Sequence, residues 1–173
     1  IITATRDEAS EAARLVNNNG DWGYITVLAE SGDKNEAKWQ EFFNELRRRH
    51  LIPIVRLATK PTGAGIWEKP YEDEAQVWAD FLDKLNWPVK NRYITIYNEP
   101  NHATEWGGTA DPEGFAKILN TTIDALKKKS FDLVISDLQM PNMTGIELLK
   151  NVRDQYPELL FMMITAFGTT ETA

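Results

Sequence analysis

Five positions along this sequence carry side chains that could do chemistry: Glu30, Arg56 with Thr59, Asn98 with Glu99, Asp137, and Thr165. Each stands at or just past the end of an apolar stretch that reads as a β-strand. In parallel α/β folds the carboxyl ends of strands and the helix N-termini meet at one rim, where ligands sit. Carboxyl groups there can give or take protons, provided the fold holds them against a substrate. The elements that must bring these side chains together therefore decide whether they form a site.

The apolar stretches 1–4, 24–28, 51–58, 93–97, 133–136 and 160–165 read as strands. Between them, apolar residues recur at helical spacing. Ala9, Ala12, Ala13 and Val16 form one such face, Trp39, Phe42, Phe43 and Leu46 a second, and Ala75, Trp78, Ala79 and Leu82 a third. Phe115, Ile118, Leu119, Ile123 and Leu126 form a fourth, opened by Asp111 and Pro112 as N-cap and first helical residue. Thr5 with Glu8, and Thr144 with Glu147, have capping-box spacing. Pro53 is tolerable only near the start or the edge of its strand. Strands separated by helices of this length favour parallel pairing through right-handed crossovers. The expectation is an α/β fold with a parallel sheet of five or six strands, either an open barrel segment or a flat doubly wound sheet.

Composition narrows the class of protein. The 173 residues carry a formal net charge of −7 and no cysteine, with mean hydropathy −0.43 and pI near 4.9. No stretch approaches the roughly 20 apolar residues of a spanning helix, so no membrane partner is expected. The acidic balance gives nucleic-acid binding little electrostatic support. The absence of cysteine excludes disulfides, thiolate zinc sites and cysteine nucleophiles. The chain opens on Ile1 without a basic, apolar leader, which reads as a processed or trimmed cytoplasmic or recombinant protein. Residue usage is uneven: all six Trp precede Gly107 and all four Met follow Gln139. From Phe131 onward two basic and six acidic residues supply −4 of the net charge. Such a shift points to two ancestries within one chain.

The segment Tyr93-Ile-Thr-Ile-Tyr-Asn-Glu-Pro-Asn-His102 resembles the fourth strand of clan A glycoside hydrolases, which are (βα)8 barrels. The stretch from Gly20 to Trp106, with its Trp-rich loops, is similar to the same barrel type. The resemblance implies that Glu99 is the acid/base and that Asn98 holds a sugar hydroxyl. It also implies that Trp67 or Trp106 stacks on a sugar ring and that Arg56 steadies a carboxylate. Retaining hydrolysis needs a second carboxyl about 5–5.5 Å away. In this family that nucleophile comes from a seventh strand, which this chain does not contain. Glu30 is the only other rim glutamate, and its context matches no nucleophile motif. The resemblance therefore implies fold and ancestry rather than efficient catalysis.

The segment Phe131-Asp-Leu-Val-Ile-Ser-Asp-Leu-Gln-Met-Pro-Asn-Met-Thr-Gly145 resembles the third strand and following loop of a response-regulator receiver domain, of nitrogen-regulator type. Leu160-Phe-Met-Met-Ile-Thr-Ala-Phe-Gly168 resembles the receiver's fourth strand. The resemblance implies that Asp137 is the phosphoacceptor and Thr165 the switch hydroxyl. Mg²⁺, which prefers oxygen ligands, would be the cofactor at Asp137 if receiver chemistry is retained. No other cofactor and no metal site is expected. Two receiver features are not matched. The stretch Ile1-Ile-Thr-Ala4 carries no acidic pair for Mg²⁺, and the receiver's lysine-bearing fifth strand would lie beyond Ala173.

The remaining charged residues read as structural. His50 follows Arg47, Arg48 and Arg49 at a helix end, and Lys127–Lys129 closes a later helix, where cations complement the macrodipole. His102 with Glu99 and Glu105 is a weak metal signal. The sequence thus reads as one α/β domain over 1–173. Residues 1–129 resemble a glycosidase barrel and 130–173 a receiver, with the receiver resemblance reaching back to about 124. An engineered or recombined fold hybrid without efficient native catalysis is the first expectation. A weak glycosidase-like or carbohydrate-binding protein using Glu99, and a phosphoacceptor signalling module using Asp137, are the alternatives. Open strand edges and an apolar inner sheet face would favour self-association.

Overall fold

The computed structural model describes residues 1–17, 20–99, 102–129, 131, 133–137, 146, 150, 153, 154, 157 and 160–164. In chain order these form α1 (Arg6–Val16), β1 (Gly23–Glu30), α2 (Glu36–Arg48), β2 (Leu51–Ala58), α3 (Glu74–Lys84), β3 (Tyr93–Ile96), a 3₁₀ turn (Ala103–Glu105), α4 (Pro112–Lys127), β4 (Leu133–Asp137) and β5 (Leu160–Ile164). The fold is α/β, built of parallel βα units. β1, β2 and β3 form one parallel sheet with β2 in the centre, and β4 pairs with β5 in parallel. β3 and β4 approach one another, with no ladder between them among the described residues.

Strand alternation divides the three-stranded sheet into two faces. Ile25, Val27 and Ala29, Leu51, Val55 and Leu57, and Ile94 and Ile96 are buried. Thr26, Leu28, Ile52, Ile54, Arg56, Tyr93 and Thr95 on the alternate face are half-buried, and Tyr24 is exposed. The expected helical faces pack on the buried side: Trp39, Phe42, Phe43 and Leu46 from α2, and Ala75, Trp78, Ala79 and Leu82 from α3. Phe115, Ile118, Leu119, Ile123 and Leu126 of α4 join the same core. Burying each large apolar side chain contributes about 1.5–3 kcal/mol. Pro53 lies in the central strand, but β3 pairs with β2 only from Ile54 onward, so Pro53 sits ahead of that ladder.

The expected strand over 1–4 is reduced to a single parallel bridge between Ile2 and Val27. The N–H of Ile2 donates to the Thr26 carbonyl and that of Leu28 to the Ile2 carbonyl, both at 2.9 Å. Thr3 already turns to Glu8, its hydroxyl donating to the carboxylate at 2.9 Å, and Thr5 caps α1. Too few residues remain before the helix for a longer ladder. The strand expected over 93–97 ends at Ile96, because Tyr97 adopts φ +60°. The helix expected to open at Thr144 and Glu147 falls largely outside the described residues, as does Thr165.

Candidate functional site

The carboxyl ends of β1, β2 and β3 lie side by side, with Glu30 opposite Ala58 and Arg56 opposite Thr95 in the ladders. Beyond β3 the backbone is unusual. Tyr97 and Glu99 both adopt left-handed conformations, φ +60° and +33°, which cost a non-glycine residue free energy and cluster at functional sites. Asn98 is half-buried between them and Glu99 is exposed. The Glu99 carbonyl accepts the His102 N–H at 2.8 Å, closing the turn that leads to Glu105.

Arg56 lies near the carboxyl end of the central strand, on its half-buried face. Its guanidinium is half-buried, and its Nε has no hydrogen-bond partner among the described residues. Burial lowers its pKa, while the carboxylates of Glu105 and Glu99 oppose that shift. Glu99 and Glu105 thus act on Arg56 through charge, with no ion pair to it among the described residues, and Glu105 is one the sequence marks only as a neighbour of His102. Thr59 is not free to meet a ligand through its hydroxyl proton: it is buried and donates to the Glu68 carbonyl at 2.6 Å.

The two tryptophans expected as stacking faces behave differently. Trp67 is half-buried. Its N–H donates to the Thr104 carbonyl at 2.7 Å and its carbonyl accepts the Gly107 N–H at 2.9 Å, stitching two rim loops together. Trp106 is only 1% exposed and offers no open face to a sugar ring. Gly107 and Gly108, at φ +68° and +88°, turn the chain so that Trp106 packs between Tyr97 and Phe115, with ring centroids 6.3 and 5.7 Å away.

A second polar group lies beneath the rim. Glu74 Oε2, Trp78 Nε1, Tyr97 Oη and Trp106 Nε1 are buried without hydrogen-bond partners among the described residues. Burial raises the pKa of Glu74, with Lys34 opposing, and burial likewise raises that of Tyr97, with Glu74 adding to the effect. Burial lowers the pKa of Lys34, whose ammonium sits 3.9 Å from the centroid of the Trp78 ring. Nothing in the sequence marks Glu74, because a glutamate in the first turn of a helix ordinarily serves the macrodipole.

Asp137 ends β4 and pairs with Ile164 of β5, which places its backbone at the carboxyl edge of a parallel pair. Its side chain lies outside the described residues. Among the described residues, no three His, Cys, Asp or Glu side chains come together to hold a metal ion. No helix among them is long and apolar enough to cross a membrane.

Residues 114–173 match the response regulator receiver domain family. Chemotaxis protein CheY-3 of Vibrio cholerae is 48% identical over 53 residues, covering 30% of this chain and 41% of that protein. Response regulator protein FleR of Pseudomonas aeruginosa is 41% identical over 51 residues, covering 30% of this chain and 11% of that one. DNA-binding transcriptional regulator NtrC of Klebsiella pneumoniae is 37% identical over 54 residues, 31% of this chain and 12% of its own. The chain therefore spans less than half of each of these relatives, 41% at most. Among solved structures, a monomeric β-xylosidase from Caulobacter crescentus CB15 superposes with TM-score 0.69 at 16% identity, over 94% of this chain and 38% of that chain. That likeness concerns the fold alone. Residues 114–173 are thus similar to response regulator receivers, within a chain whose α/β fold is similar to part of a β-xylosidase chain.

Proposed function

We propose that this chain acts as a phosphoacceptor module of receiver type, with Asp137 as the group that takes the phosphoryl. The observation carrying this reading is the position of Asp137. It lies inside the receiver-matched segment and is the last residue of a strand in a parallel pair. Its carboxylate oxygen would attack the phosphorus of a small donor such as acetyl phosphate. The bond from phosphorus to the acetyl oxygen breaks, acetate leaves, and an acyl phosphate remains on Asp137. The Mg²⁺ implied by the receiver resemblance finds no set of ligands among the described residues, so no step is assigned to it. Intact-mass spectrometry after exposure to acetyl phosphate tests the reading. One added phosphoryl group per chain, lost in Asp137→Asn, is expected; no adduct, or an adduct that survives the substitution, overturns it.

The left-handed backbone at Tyr97 and Glu99, just past the carboxyl end of β3 and next to the strand that bears Arg56, favours a second reading, carbohydrate binding or weak hydrolysis at the β2–β3 rim. Glu99 would be the acid, Asn98 and Arg56 would hold hydroxyl or carboxylate groups, and half-buried Trp67 would flank the sugar. A panel of aryl glycosides assayed with the parent and Glu99→Gln decides it, because equal rates remove Glu99 from any catalysis. On either reading the chain is a hybrid. Its receiver-similar segment completes an α/β fold of the β-xylosidase kind, and the half-exposed sheet face bearing Tyr24 and Ile54 favours self-association, measurable by light scattering over a concentration series.

A further inference from the structure

At the end of the sheet opposite the rim, the loop between α3 and β3 borders a shallow, open depression whose charged lining is wholly cationic: Arg47, Lys90 and Arg92. Three cations around one depression stand out on a chain of net charge −7. The three arginines that end α2 and follow it divide their work. Arg48 and Arg49 pair with the carboxylate of Glu45. Arg47 instead donates to the carbonyls of Asn86 at 3.1 Å and Trp87 at 2.7 Å, and to Asn44 Oδ1 at 3.0 Å. Among the described residues, neither Arg47 nor Lys90 has a carboxylate partner, whereas Arg92 shares its charge with Asp83 at 3.3 Å. Arg47 and Lys90 thus bring two positive charges to this face without a carboxylate partner among the described residues.

The backbone adds neutral donors. The N–H groups of Val89, Lys90 and Asn91 lie outside helix and strand and donate to no acceptor among the described residues. Such loop N–H groups beside arginine and lysine suit the tetrahedral oxygens of a phosphate. Arg47 is already pinned by its carbonyl contacts, so little conformational freedom would be lost on binding.

We propose that this open depression is a binding site for a small phosphate-class dianion, held by Arg47 and Lys90, with Arg92 beside them, together with the N–H groups of Val89 and Lys90. The site lies at the amino end of β3, whereas Asp137 and Glu99 stand at carboxyl ends, so this inference stands independently of either functional reading.

The test titrates the protein with inorganic phosphate, sulfate and acetate at constant ionic strength, following the amide ¹H–¹⁵N signals of Val89 and Lys90. Phosphate and sulfate are expected to saturate and acetate is not. Lys90 is exposed, so Lys90→Glu should leave the circular dichroism spectrum unchanged while weakening phosphate binding about tenfold or more. Lys90→Ala should weaken it by less. Shifts that fail to saturate, acetate that saturates alike, or an unchanged Kd in both folded variants overturns the proposal.

Discussion

The Arg92 guanidinium lies 4.0 Å from the centroid of the Phe131 ring, and it donates to the Lys129 carbonyl at 2.7 Å. Trp87 meets the same ring edge-on, with centroids 5.9 Å apart. Lys129 in turn reaches Asp80 at 3.0 Å and Asp83 at 3.7 Å. These contacts cross the point where residue usage changes. The Trp-rich part of the chain holds the start of the Met-rich part within a shared core.

Phe131 is 5% exposed, so Phe131→Ala should cost about 3–5 kcal/mol, read as a lower urea midpoint with an unchanged slope. Arg92→Ala removes the cation over that ring and should cost less, about 0.5–2 kcal/mol. An unaffected midpoint in Phe131→Ala would show that the contact carries no stability.

Glu45 is buried and accepts from Arg48, and from Arg49 Nε at 2.6 Å. The hydrogen bond from Arg48 is the chief cause holding its pKa below the ordinary 4.5, with burial opposing. A lowered folded-state pKa gives stability that is present above the ordinary value and lost as pH falls through the lowered one. Glu45→Gln should therefore be less stable than the parent at pH 7, by about 0.2–1 kcal/mol because both arginines are solvent-accessible, with the difference shrinking in acid. Unfolding midpoints measured from pH 7 down to the acid limit check the sign.

Glu74 has the opposite sign. Burial raises its pKa above the ordinary 4.5, so the folded state holds the proton more tightly than the unfolded state. Its contribution is full below the ordinary value and is lost as pH rises through the raised one. Urea midpoints between pH 4 and pH 7 should show that loss in the parent and a flatter profile in Glu74→Gln. Parallel profiles would remove Glu74 as the cause.

Much of the fold is legible in the sequence because the helices of this chain are strongly amphipathic. Trp39, Phe42, Phe43 and Leu46 recur at one helical face and are all buried, and Asp111 caps α4 by accepting the Gly114 N–H at 2.8 Å. What local pattern does not convey is reach. Residues 1–4 are as apolar as a strand, yet the capping of α1 leaves room for one bridge. Trp106 reads as an exposed loop aromatic because the Gly107–Gly108 turn that folds it inward acts through non-local packing. Glu99 and Asn98 stand out by their place after a strand. Glu105 and Glu74 do not, since they matter only through Arg56, Tyr97 and Lys34, which are distant in sequence.

The Asp111 cap gives a local test. At an ordinary helical position Gly→Ala stabilises by about 1 kcal/mol. At Gly114 the added Cβ would collide with the Asp111 carboxylate, so Gly114→Ala should lose the cap and gain nothing, or destabilise by about 1 kcal/mol. Asp111→Ala should destabilise by a similar amount, and the double variant should recover the helix-propensity gain. Thermal unfolding of the three variants distinguishes these outcomes.

The most direct test of the phosphoacceptor reading is to locate the modified atom. The protein is treated with acetyl phosphate and then with borohydride, whose hydride reduces an acyl phosphate to an alcohol and releases inorganic phosphate. Peptide mass spectrometry then reads the position. Asp137 is expected to be converted to homoserine with the other carboxylates unchanged; reduction at another carboxylate, or at none in the folded protein, overturns Asp137 as the phosphoacceptor.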